Sequence, residues 1–227
     1  MARLVLITGA AGNLARAVAQ VFVDQGDRVA LLARSRESLA QVYGSEDAQH
    51  VFVVADLLQP DALKAAVDKL GPVDVLCNLA GGFAMGDPVH ATAAADWQKM
   101  QDLNVRTLLN AVQAVVPGMV ARRSGKVVNV GANSALRGAG QMGAYIASKS
   151  QVLRITESMA AELREQGVNV NCVLPSIIDT PENRAAMPKA DPARWVAPGK
   201  LAEVIAFLAS DAASAIHGAS VPVVGLS

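Results

Sequence analysis

The chain has 227 residues, enough for one domain with a large core. It is 52% hydrophobic and 18% charged, which excludes a disordered protein. Its 20 basic and 20 acidic residues cancel, so no general electrostatic argument points to nucleic acid or an anionic membrane.

Strand-like runs cover residues 4–7, 28–32, 51–54, 73–77, 126–130, 168–173 and 220–224. Helical runs cover 13–25, 36–43, 60–70, 96–121, 144–166 and 200–210. Pro117 is expected to kink or end the fourth helix. Strict alternation of apolar strands and helices predicts a single-domain α/β Rossmann fold over residues 1–227. Its doubly wound, seven-stranded parallel sheet would carry helices on both faces. The Pro-rich piece 181–198 is too short for a domain and has the length of a lid. No apolar run nears the ~20 residues of a membrane span. A strand starting at Leu4 leaves no room for a signal peptide, so a cytoplasmic location is expected. Cys77 and Cys172 lie in apolar runs and are read as buried thiols. His50, His90 and His217 lack ligand spacing, so no metal site is expected.

Ligands of such sheets bind beyond the carboxyl ends of the strands. The first strand runs into Thr8, Gly9, Gly12, Asn13 and Leu14 before a helix begins. A glycine turn there serves either a bare bend or a pyrophosphate held at a helix N-terminus; its place in a βα chain favours the second. The second strand ends in Ala33-Arg34-Ser35, without the acid that would hold an NAD ribose. Arg34 and Ser35 suit a 2′-phosphate, so NADP is favoured and NAD remains possible. Asp56 ends the third strand, beside Leu57, as an acceptor for an adenine amino group or as a turn residue. Asn78, Ala80 and Gly81 end the fourth strand, where small residues allow a cofactor to approach. Beyond the sixth strand, Pro175 to Thr180, including Ile177, offers a hydroxyl and backbone amides for a carboxamide. Tyr145 and Lys149 stand four apart on the fifth helix and share a face. A cation there is expected to lower the tyrosine pKa from ~10, fitting it for proton transfer.

In their order and spacing these motifs resemble a short-chain dehydrogenase/reductase over essentially the whole chain. The resemblance implies hydride transfer between NAD(P)H and a carbonyl, alcohol or imine. It implies Tyr145 as acid/base, Lys149 as its partner and ribose ligand, and Asn104 as holder of a relay water. It also implies a homodimer or homotetramer built on the two long helices, 96–121 and 144–166, and the C-terminal strand. The position thirteen before the tyrosine, usually serine, is Ala132. Ser134 substitutes only if the loop bends differently. Without it, the loop resembles that of quinonoid dihydropteridine reductases, which also lack the serine. A dinucleotide-sensing protein without catalysis is the alternative from outside the enzymes. In the 181–198 piece, Met187, Trp195, Arg184 and Arg194 are read either as substrate contacts or as packing and solvated charge.

Overall fold

The structure is a computed structural model and describes residues 2–227. Seven strands form one parallel sheet: β1 (Leu4–Thr8), β2 (Arg28–Ala33), β3 (His50–Val54), β4 (Val75–Asn78), β5 (Gly125–Val130), β6 (Val168–Pro175) and β7 (Ser220–Val223). Their order is β3-β2-β1-β4-β5-β6-β7, as the βα alternation predicts. The chain winds outward from β1, then returns to lay β4 on its other side. The reversal leaves a crevice at the carboxyl ends of β1 and β4, where this kind of sheet binds ligands.

The sheet separates two apolar layers. Alternate residues of a strand face opposite ways. Val5 and Ile7 therefore join α1 (Asn13–Asp24) and α8 (Pro198–Leu208) through Phe22 and Ile205. Leu4 and Leu6 join α3 (Pro60–Asp68), α5 (Thr107–Arg122) and α6 (Gly143–Leu163) through Leu63, Met119 and Met159. Each fully buried Leu or Phe contributes roughly 1.5–3 kcal/mol. α2 (Arg36–Tyr43) follows β2 and starts on a Ser35 cap.

Two expectations require correction. The predicted helix 96–121 is α4 (Ala94–Gln101), a π-helical turn at Asp102–Arg106, then α5. Pro117 does not end α5, which continues to Arg122. Pro117 is exposed, so the carbonyl it leaves unpaired faces water, while Val115, Val116 and Met119 hold this stretch in the core. The 181–198 piece also contains a short helix, α7 (Pro181–Ala186). No helix among the described residues is long and apolar enough to cross a membrane.

Candidate active site

The glycine turn follows β1 directly. Gly9 has φ +66°, which disfavours any side chain, and a Cβ there would lie 2.9 Å from Ala80 Cα. The Gly12 amide closes the turn on the Gly9 carbonyl at 2.9 Å. Gly12 is the N-cap of α1 and gives it no side-chain cap. Open N–H groups at Asn13 and Leu14 in the first turn suit an anion. Ala15 is buried, small enough for α1 to pack closely on the sheet. The Thr8 hydroxyl accepts the Leu79 and Ala80 amides, both at 3.1 Å, tying the β1 turn to the β4 turn. These close approaches fit a dinucleotide lying across the turn.

Around this cradle the other predicted residues take several roles. Arg34 is exposed and has no ion pair among the described residues. Ser35 caps α2 by accepting from the Ser38 amide at 3.2 Å. Asp56 is exposed, and one carboxylate oxygen accepts the Leu58 amide at 2.9 Å. Leu57 is buried, its carbonyl accepting from Asn110 at 2.7 Å. Asn78 points into the sheet: its amide donates to Asn129 Oδ1 at 2.9 Å, and its own Oδ1 is buried without a partner. Pro175 is buried. The Ile177 carbonyl accepts from Val196, and Thr180 caps α7 by accepting from the Asn183 amide.

Asn104 sits in the π-helical turn, a distortion that recurs at functional sites. Its side chain clamps Gly82 both ways, accepting the amide at 2.9 Å and donating to the carbonyl at 3.1 Å. It also donates to Ser148 on α6 at 3.0 Å. A Cβ at Gly81 would lie 2.8 Å from Asn104 Oδ1 and 3.2 Å from Lys149 Nζ. Only glycine leaves that space.

Tyr145 and Lys149 lie one turn apart in α6. Lys149 is buried and donates to the Val130 carbonyl at 2.8 Å. Burial lowers its pKa to about 8, with Cys172 opposing weakly. Burial also pushes the Tyr145 phenol up to about 12, while the neighbouring Ser134 hydroxyl pulls it down. The expected lowering by Lys149 is therefore not found: its ammonium is turned to Val130 on the strand, and loss of solvation dominates at the phenol. Ser134 lies on a short 3₁₀ turn at Asn133–Leu136, close enough to act on the phenol. Ala132, at the usual serine position, is buried. Ser134, two residues later, is the serine that acts on the phenol pKa.

A model of the short chain dehydrogenase family matches residues 3–191. The chain belongs to the short-chain dehydrogenase family. It is an oxidoreductase of that family. One curated relative, the 3-oxoacyl-[acyl-carrier-protein] reductase of Vibrio cholerae, is 31% identical over 98% of this chain and 96% of its own. A solved 3-oxoacyl-[acyl-carrier protein] reductase of Brucella melitensis with bound NAD is 31% identical. It has a TM-score of 0.87, covering 98% of this chain and 90% of that one. A gluconate 5-dehydrogenase of Burkholderia cenocepacia in complex with NADP and tartrate is 27% identical. It has a TM-score of 0.90, covering 98% and 94%.

Within this short-chain dehydrogenase, three contacts at the site were not foreseen from sequence. Tyr43 donates to the Ala10 carbonyl at 2.9 Å and props the glycine turn from α2. Phe83 lies edge-on against Tyr145, ring centres 5.0 Å apart. Asn13, on α1, donates to Glu182, on α7. An aromatic directly after Gly81-Gly82, in a chain only 4% aromatic, is the signal that marks Phe83. Arg184 is held by Asp179, and Arg194 by the Leu226 carbonyl, while Trp195 is buried. Packing and local pairing are thus their observed roles.

Proposed function

We propose that this oxidoreductase reduces a carbonyl or imine compound, or oxidises the corresponding alcohol or amine, with Tyr145 as acid/base and NADP as preferred cofactor. The observation that carries the reading is a half-buried Tyr145 on α6, its phenol influenced by Ser134, with the buried Lys149 one turn away.

The cofactor is a nicotinamide dinucleotide. Its pyrophosphate belongs on Gly9, Gly12, Asn13 and Leu14. The adenosine end belongs by Arg34, Ser35, Asp56 and Leu57, and the free Arg34 supports a 2′-phosphate. The nicotinamide end belongs by Asn78, Ala80, Gly81, Pro175, Ile177 and Thr180, with its ribose on Tyr145 and Lys149. When bound, the nicotinamide supplies or accepts the hydride.

The protein's own groups move and hold the proton. With a pKa near 12 the phenol is protonated at neutral pH, so Tyr145 donates to the substrate oxygen or nitrogen during reduction. The Ser134 hydroxyl steadies that heteroatom and the phenolate left behind. Lys149 keeps most of its charge at neutral pH, held on the Val130 carbonyl one turn from the phenol, and serves the cofactor ribose. Asn104 fixes the Gly82 loop and holds the relay water to Lys149. In the reverse direction the tyrosinate takes the proton.

The 181–198 segment acts as a lid, a role supported by the reach of Glu182 across to Asn13. A homodimer or homotetramer is supported by Leu109, exposed on α5 beside a cleft of about 410 Å³, and by the long α6. A cytoplasmic setting is supported by two free, buried thiols.

The experiment is direct. Tyr145→Phe abolishes turnover while NADPH still binds; turnover at the wild-type rate refutes the acid role. Sedimentation velocity reads the assembly.

A further inference from the structure

Four large apolar side chains on the two segments that meet Tyr145 stay exposed: Phe83 at 60%, Met85 at 57%, Val89 at 60% and Leu136 at 58%. Each segment has an anchor at Tyr145: Phe83 in the first and Ser134, two residues before Leu136, in the second. Phe83 packs its ring on Tyr145 at 5.0 Å. The Gly86 amide donates to the Gln141 carbonyl at 2.9 Å, pinning this loop to the start of α6. Val89 reaches α6 two residues before the tyrosine: a Cβ on Gly143 would lie 2.6 Å from Val89 Cγ2. Leu136 stands two residues after Ser134 on the same short turn. Exposed apolar surface gathered at a reactive group marks a binding surface rather than stray exposure.

Of the three arginines Arg137, Arg184 and Arg194, two are taken up by other partners. The two arginines of the 181–198 segment are already engaged, Arg184 by both oxygens of Asp179 and Arg194 by the Leu226 carbonyl. Neither is free to receive an anionic substrate. Arg137, next to Leu136, is exposed to solvent.

We infer that the substrate is an uncharged carbonyl compound whose apolar body, an aryl or alicyclic ring, lies on Phe83, Met85, Val89 and Leu136 beside Tyr145. This rests on the oxidoreductase reading and adds to it a substrate class. In the reduction, hydride from the nicotinamide bonds to the carbonyl carbon and the Tyr145 proton to the oxygen. The products are the alcohol, the oxidised cofactor and a tyrosinate that takes its proton back from solvent.

The test uses the full chain with NADPH or NADH and two matched probes, acetophenone and acetylbenzoate. Turnover is followed by loss of the reduced cofactor and binding by calorimetry. Acetophenone is expected to have at least a tenfold higher kcat/KM. Phe83→Ala is expected to raise its KM about tenfold with little change in kcat, to weaken its binding equally, and to leave the Kd for NADPH unchanged. Phe83→Leu is expected to recover most of the loss. A preference for acetylbenzoate, above all one removed by Arg137→Ala, overturns the inference and leaves the oxidoreductase reading standing. Phe83-dependent binding of acetophenone with no reduction of either probe keeps the apolar surface and sinks the oxidoreductase reading. Acetophenone that neither binds nor reacts overturns the inference.

Discussion

The Asn13 side-chain amide donates to the Glu182 carboxylate at 2.5 Å, joining the first residue of α1 to α7. This contact bridges the crevice that the sheet opens beyond β1. Asn13 holds the Glu182 pKa below the ordinary carboxylate value, so the group is charged at neutral pH. A fixed negative charge then stands at the positive end of α1, the place proposed for the pyrophosphate. Glu182→Gln is expected to tighten NADPH binding by about threefold or more at low salt, with the gain shrinking as ionic strength rises. Titration calorimetry at two salt concentrations reads this. Unchanged or weaker binding shows that Glu182 stands clear of the cofactor's path.

Ser134 lies on the short turn Asn133–Leu136 and acts on the Tyr145 phenol. Its hydroxyl is the group that lowers the phenol pKa against the effect of burial. Ser134→Ala is expected to lower kcat on the order of 10²-fold, since one donor to a developing oxyanion is worth that much. It is also expected to move the alkaline limb of the kcat profile upward, because the phenol loses the bond that favours its ionised form. Full activity in this variant would mean that the site works without a serine.

Much of the fold is visible in the sequence because the strands are nearly unbroken apolar runs, as in Val168–Pro175, buried throughout. Tyr145, Lys149 and Gly9 are visible because chemistry and spacing fix them. Other features depend on tertiary facts. Periodicity reads 96–121 as one helix because a π turn adds a residue without breaking the apolar face. Proline weakens a helix interior less where the carbonyl it frees faces water, and Pro117 is on the solvent side. α7 has six residues, too few for a periodic pattern, and relies on its Thr180 cap. The sign of the Tyr145 shift depends on how much solvent the fold removes, which residue spacing does not report.

Gly81 faces Asn104 Oδ1 and Lys149 Nζ so closely that a methyl group has no room. The nearer atom is itself fixed, accepting the Gly82 amide. Gly81→Ala is expected to displace both side chains and to cost about 1–3 kcal/mol of stability by overpacking. Activity is expected to fall further than stability explains. Denaturant unfolding alongside steady-state kinetics separates the two. Normal kcat in a destabilised variant would place Asn104 and Lys149 outside the mechanism.

The Arg34 guanidinium is free at the end of β2, and no acidic residue stands where an NAD ribose would be held. Arg34→Ala is expected to weaken NADPH binding at least tenfold and to leave NADH binding nearly unchanged, since only the former carries the 2′-phosphate. Paired dissociation constants settle it. An equal loss for both cofactors points to a structural role for Arg34.

Lys149 links catalysis to stability through pH. Its folded pKa is about 8 against an ordinary value of 10.5, because burial disfavours the ammonium. Below pH ~8 both folded and unfolded chains carry the proton, and the cost of burying the charge is fully present. Between about 8 and 10.5 the unfolded chain binds more protons, so this group makes stability rise with pH. The full gain is about 3 kcal/mol. Lys149→Met is expected to lose that rise and to be the more stable protein at pH ~7, while losing turnover. Chemical denaturation from pH ~7 to ~10, compared between the two proteins, reads the difference in slope. Parallel curves would show that Lys149 is not desolvated in solution.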